Sequence, residues 1–336
     1  VNNSSPRVLI IGKAGGILHW PEHLLDACKQ SAITHDFFPI NHLADRHRIG
    51  SRLLKSLSRK KFQAEQLRSL HNKLDQFVPD IVFFIDCLGL TPALQELLAK
   101  EKFRFKAAHW IGDYYEPSIT ELNAFTDIFY FTDTFLIERA KELKLNNPSY
   151  LPLAVNDSVF KNTLNGPDAI THFMCRQSPV LFVGAYSANR YDTLNKIDFP
   201  LEIYGKGWNK RFATQHKIYP KNISLQKVAQ LNANHRCVLN IINKNNICHG
   251  LNMRCFEATA AGAVLLTDEV KDLSRCFEAG TEVISYNDAD DLNKKVPALL
   301  QSPDVLFDIA VKGQAKTLQY HTYKNRLLQI IAEMNC

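Results

Sequence analysis

Short apolar runs recur along this chain, each closed by glycine or polar residues and separated by longer amphipathic stretches. In the first half they fall at residues 7–11, 81–85, 107–111 and 128–132, and in the second at 179–184, 201–204, 237–241, 263–267 and 282–286. A short run that is apolar at nearly every position suits a strand covered on both faces, and such strands belong to parallel sheets flanked by helices. The pattern predicts an α/β protein with two doubly wound, Rossmann-like series, over residues 1–155 and 168–316. A polar stretch containing Asn and Gly, residues 156–167, is the expected linker. No internal repeat beyond this twofold plan is visible.

The segment 250–267 carries the most chemical information. Ala258, Ala260, Ala261 and Ala263 are small enough to let a helix lie close on a sheet, and Gly262 separates that helix from an apolar strand. A helix beginning near Asn252 presents free amide groups and the positive end of its dipole, which suits a diphosphate. Gly250, Leu251 and Asn252 are the expected backbone contacts, with Arg254 adding charge. Glu257 lies roughly 8 Å further along the axis at 1.5 Å per residue, where a carboxylate can accept from both hydroxyls of a ribose. These residues together predict nucleotide-sugar binding.

Other candidates cluster after the strands. Gly15 and Gly16 follow the first run and allow close backbone approach to a ligand, or simply a tight turn. Asp113, beside Trp110 and Tyr114, suits a sugar hydroxyl and the acceptance of its proton, or else caps a turn; His109 is either a second proton acceptor or a core residue. Arg190, six residues past Gly184, offers the rigid fork that a leaving diphosphate needs, and Lys206 is a weaker candidate for the same task.

Several of these residues stand in a recognisable order. Asn252, Arg254, Phe256, Glu257, Ala258 and Gly262, then Phe277 to Gly280, then His321, Thr322, Tyr323 and Arg326, resemble the C-terminal half of GT-B glycosyltransferases related to the spore-maturation protein CgeB. Phe182, Val183 and Gly184 with Arg190, the stretch 203–208, the stretch 150–154, Trp110 with Asp113, and Pro79 with Asp80 fit the same pattern. The resemblance implies a GT-B fold, two Rossmann-like sheets facing across a cleft, with a last helix at 317–336 packing back on the N-terminal domain. It implies transfer from a nucleoside-diphosphate sugar, held by the second domain, to a glycan, lipid-linked or protein acceptor held by the first, in surface glycoconjugate synthesis. Broader retaining families often carry a glutamate eight residues before the ribose-binding one; here that position is His249, a candidate for a phosphate or sugar oxygen, and the stereochemistry stays open. A nucleotide-sugar 2-epimerase and a non-catalytic carbohydrate-binding scaffold share the architecture and are the alternatives.

Composition narrows this little. The chain has 336 residues, 46% hydrophobic and 22% charged, with no apolar run near the roughly 20 residues of a membrane span. Residues 1–6 lack a basic region followed by an apolar core, and the eight cysteines form no C-x-x-C pair, so a cytoplasmic, reduced protein is expected. Nine Lys or Arg against two acids between Asp45 and Lys73 give +7 in a chain of net +6. Leucines at helical spacing make that segment a basic amphipathic helix, either a solvated face or a peripheral contact with anionic membrane at its inner face. Nucleic acid is not expected, since no aromatic residues are interleaved for stacking. Asp288 and Asp290 have D-x-D spacing but sit where a helix starts, which favours a cap. Neither a metal nor another cofactor is expected.

Overall fold

The computed structural model describes residues 5–13, 19–40, 52–160, 164–177, 180–208 and 216–335, with no account of side chains at 52–59 and 335. Gly15, Gly16 and residues 45–51 of the basic segment lie outside the described residues. The chain divides into two compact units, one of residues Val1–Leu151 and Lys324–Cys336, the other of Pro152–Tyr323.

The first unit runs β1 (Val8–Gly12), α1 (Trp20–Gln30), β2 (His35–Pro39), α2 (Arg52–Phe77), β3 (Ile81–Ile85), α3 (Pro92–Glu101), β4 (Lys106–Ile111), β5 (Ile128–Phe131), α4 (Thr134–Glu142) and β6 (Pro148–Tyr150). All its strand pairings are parallel, in the order β2-β1-β3-β4-β5-β6. Strands β1 and β3 are buried at every position, as their uniform apolarity predicts. The edge strands β2 and β6 were not legible as apolar runs, because at an edge only part of each residue is covered. The order reverses between β1 and β3, which makes their carboxyl ends a topological switch point, where ligands gather in open α/β sheets.

The second unit runs α5 (Asp157–Phe160), α6 (Ala169–Met174), β7 (Val180–Val183), α7 (Ala188–Leu194), β8 (Leu201–Tyr204), β9 (Lys217–Tyr219), α8 (Leu225–Asn234), β10 (Cys237–Leu239), α9 (Met253–Ala260), β11 (Val264–Asp268), α10 (Leu273–Cys276), β12 (Ile284–Tyr286), α11 (Ala289–Leu300) and α12 (Pro303–Tyr320). Its strands are again all parallel, ordered β12-β11-β10-β7-β8-β9, so the switch point lies between β7 and β10. The D-x-D motif resolves as a cap: Asp288 starts α11 and accepts from the Asp291 amide at 2.9 Å.

A single helix over the last twenty residues is not what forms. Helix α12 stops at Tyr320, and α13 (Tyr323–Asn335) starts after a break at His321 and Thr322. The break has a cause: Thr322 bridges to Val155, and the Tyr323 amide donates to the Val155 carbonyl at 3.0 Å. Most of α13 belongs to the first unit, where Glu333 accepts from the Tyr130 hydroxyl of β5.

Among the described residues no helix is long and apolar enough to cross a membrane, and seven cysteines are free, five of them buried. Along α2, Lys60, Lys61 and Arg68 are exposed, while Lys73 pairs with Asp36 at 2.6 Å.

Gly313 lets α12 press against the chain that leads into β12, since a Cβ there would meet the Glu282 carbonyl oxygen at 2.3 Å. Backbone must shift to admit a methyl group, so Gly313→Ala should cost about 1–3 kcal/mol in denaturant unfolding. Wild-type stability in that variant would show that the contact is not a constraint.

Candidate functional site

Helix α9 is the element through which the second unit could bind a ligand, and it is tied at both ends by buried polar groups. Its N-cap is Asn252, whose Oδ1 accepts from the Arg254 amide at 3.1 Å. Asn252 Nδ2 donates to Asn240 Oδ1 at 2.8 Å, and Asn240 Nδ2 in turn donates to Thr267 Oγ1 at 3.1 Å. Asn240 also receives the Tyr286 hydroxyl on its carbonyl at 2.8 Å. The start of α9 is thereby fixed to the carboxyl ends of β10, β11 and β12. At the other end Arg176 donates to the Gly262 carbonyl at 2.6 Å, and Gln314 to that of Ala260 at 2.8 Å. Thr259 and Thr317 join the helix to α12 through a 2.6 Å hydroxyl pair.

Glu257 sits in this held helix, 7% exposed. Among the described residues its carboxylate makes no hydrogen bond, and burial pushes it up to about 7, with nearby Arg254 opposing the shift. Arg254, one turn before it and partly exposed, likewise makes no side-chain hydrogen bond or ion pair there. Arg190 comes from α7, across the β7/β10 switch point, and is buried. Its Nε donates to the Ile241 carbonyl at 3.1 Å and its Nη1 to that of Ala185 at 3.0 Å. Burial lowers Arg190 to about 10, the Arg254 charge lowering it further and Asp268 opposing. Two neighbouring guanidinium groups that repel each other beside a helix N-terminus make a site for an anion.

Around this centre, Gly184 follows β7 and its carbonyl accepts from the Trp208 indole at 2.7 Å. Lys206 is exposed and makes no side-chain contact among the described residues. His249 is half-buried, its carbonyl taking the Asp272 amide at 3.0 Å, and Gly250 and Leu251 are buried as the chain enters the cap. The structure thus gathers Gly184, Arg190, Asn252, Arg254 and Glu257 at one sheet edge. Asn240 and Asp268 were missed by sequence reasoning. Each is a polar residue at the end of an apolar run, and Asp268 holds the Ile242 amide at 2.8 Å.

In the first unit the expectations divide. Asp113 is exposed after β4. His109 as a proton acceptor is corrected: it is fully buried on β4, stacked on Phe84 at 4.3 Å and Phe129 at 5.5 Å, with Nδ1 against Thr126 Oγ1. Burial lowers it to about 3, so the ring is a neutral core residue. From Ala107 to Ile111 β4 is buried on both faces, so position 109 falls in the core. A carboxyl that sequence reasoning passed over, Asp86, stands directly after β3. Its Oδ1 accepts from the Gly112 amide at 2.9 Å, and burial, with the Asp113 charge adding to it, raises it to about 7.

Residues 188–332 match the family described as glycosyl transferase-like. No curated protein matches the sequence. Among solved structures, a glycosyltransferase from Rickettsia africae has a TM-score of 0.68 at 12% identity, covering 99% of both chains. Sucrose-phosphate synthase from Thermosynechococcus elongatus gives 0.65 at 12% identity and 98% coverage of each chain. HepE from Anabaena, in complex with UDP and glucose, gives 0.63 at 12% identity, with 98% of this chain and 99% of that one covered. With two six-stranded parallel sheets, these likenesses establish an α/β protein of the GT-B fold.

Proposed function

We propose that the protein is a glycosyltransferase that moves a sugar from a nucleoside-diphosphate donor to a hydroxyl acceptor. The observation that carries this reading is Glu257, an enclosed carboxylate with no hydrogen-bond partner among the described residues, placed past the start of α9. Leaving such a group unsatisfied costs on the order of 1–3 kcal/mol or more, which a bound diol offsets by donating to it. The N-terminus of α9, Arg254 and Arg190 lie on the diphosphate side. Their fixed charge stabilises the leaving group as the bond to the sugar breaks, without a metal. The match of residues 188–332 to the glycosyl transferase-like family supports the reading, and the UDP and glucose named for HepE support a nucleotide sugar as donor. The N-x-R-x-F-E-A pattern at 252–258 favours the CgeB-like group, and with it a glycan, lipid-linked or protein acceptor in cytoplasmic glycoconjugate synthesis.

Calorimetry with UDP, GDP, dTDP and ADP, each ribose form beside its 2′-deoxy form, tests the donor site. The best-bound ribonucleotide should lose about 10- to 100-fold in affinity in Glu257→Ala. The same variant should no longer separate ribose from deoxyribose, and Arg254→Ala should weaken the diphosphate but not the nucleoside. Equal affinity for ribose and deoxyribose in the wild-type protein would remove Glu257 from the site.

The raised carboxyl also sets a pH dependence. Its folded value, about 7, lies above the ordinary 4.5, so its contribution to stability is complete below 4.5 and lost as pH rises through 7. Glu257→Gln removes that loss and should be more stable than wild type above pH 7, by about 3 kcal/mol at most. A pH-independent difference between the two would contradict the assigned environment.

The exposed Lys60, Lys61 and Arg68 of α2 favour peripheral contact with an anionic membrane. Reversing Lys60 and Lys61 to Glu should then reduce co-sedimentation with phosphatidylglycerol vesicles, and unchanged binding would return the helix to a solvated face.

A further inference from the structure

Glu257 occupies a place that suits a neutral carboxyl better than a charged one. The residue keeps only 7% of its surface, and its side chain makes no hydrogen bond or ion pair among the described residues. Helix α9, which carries it, packs against α5, α8, α12 and β11. The charged residues on those elements are Asp157, Lys227 and Asp268, with Asp304, Asp308, Lys312 and Lys316 on α12. None of these charges acts on Glu257, and Asp268, itself raised by burial, acts on Arg190 instead. The titratable groups around α9 have other partners. His235, closing α8, lies 3.3 Å from Glu202, His321 Nε2 lies 2.9 Å from the Cys276 carbonyl, and the Tyr323 hydroxyl donates to Met253 Sδ at 3.5 Å. Arg254 is the charge that does act on Glu257 among the described residues, and it opposes the effect of burial only in part. Burial with so little opposing charge favours the protonated carboxyl, which is raised to about 7.

A ribose diol asks for the other form. It brings two O–H donors, and an ionised carboxylate, which only accepts, can take both. A protonated carboxyl must use one oxygen as a donor, and hydrogen bonds to an ionised acceptor are the stronger kind. We propose that binding of the donor drives the proton off Glu257 into solvent, so that one proton leaves as each nucleotide sugar enters. This rests on the donor reading above and adds to it a regulatory property, a site that fills more readily as pH rises through neutrality. The diphosphate works against the exchange, because its two negative charges favour a protonated neighbour. Arg190 and Arg254 bring two positive charges to the diphosphate side and cancel most of that effect, which leaves the two bonds from the diol to decide. At pH 8 the carboxyl is already ionised, whereas at pH 6 about nine molecules in ten must first lose the proton.

Calorimetric titration of the full chain with UDP-glucose, GDP-mannose and ADP-glucose, in pairs of buffers with different ionisation enthalpies, counts the protons exchanged between pH 6 and 8. The esterified diphosphates of these donors do not titrate in that range, so the count belongs to the protein. For the best-bound donor, release should be close to one proton at pH 6, about half at pH 7 and almost none at pH 8. Affinity should rise about tenfold from pH 6 to pH 8 alongside. Glu257→Gln keeps the shape of the side chain without its ionisation. It should bind more weakly, release no such proton and show one affinity across the range. Binding by the wild-type protein without proton release, or the same release from Glu257→Gln, overturns the proposal and leaves the donor reading in place. Absence of affinity for all three donors in the wild type defeats the donor reading, and the proposal with it.

Discussion

The rest of the second unit is arranged around one buried contact, the amide pair between Asn240 and Asn252. Both side chains are nearly inaccessible, so an unmade bond at either would carry a full desolvation cost. Satisfying them requires the end of β10 and the start of α9 to meet in one register. Thr267 and Tyr286 then fix β11 and β12 to the same point. The opposite end of α9 is fixed by Arg176 and Gln314 in the same way. A helix held so completely can carry a buried carboxylate that no described residue satisfies. That contrast, with the groups that cap and anchor α9 paired and Glu257 left without a partner among the described residues, is the physical basis for reading it as a binding residue.

Charge is distributed with the same economy. Arg190 is anchored through two backbone carbonyls and stays beside Arg254 despite repulsion, balanced in part by Asp268. Preorganised cations of this kind act on charge that develops during reaction, because they need not reorient when it appears.

Much of this was legible in the sequence, for reasons that differ by element. Strands β1, β3 and β7 are buried throughout and β11 at all but its last residue, so their apolar runs were unmistakable, while β2, β6 and β9 lie at edges and carry mixed residues. The α9 segment was readable because cap, guanidinium and carboxylate recur at helical spacing within a few residues. His109 and Asp86 show the limit. Both are polar residues at or next to a strand, and what each packs against is decided by distant parts of the chain. His109 faces the aromatic core and Asp86 the strand end, a distinction set by tertiary packing and absent from composition or spacing. The break between α12 and α13 was hidden likewise, since Val155, its partner, is more than 160 residues away.

The most direct test is a crystal structure of the protein with a bound nucleoside diphosphate chosen by affinity. The account predicts both ribose hydroxyls within hydrogen-bond distance of the Glu257 carboxylate and the diphosphate at the N-terminus of α9, against Arg254 and Arg190. A nucleotide bound elsewhere, or bound here with Glu257 still unsatisfied, would contradict it.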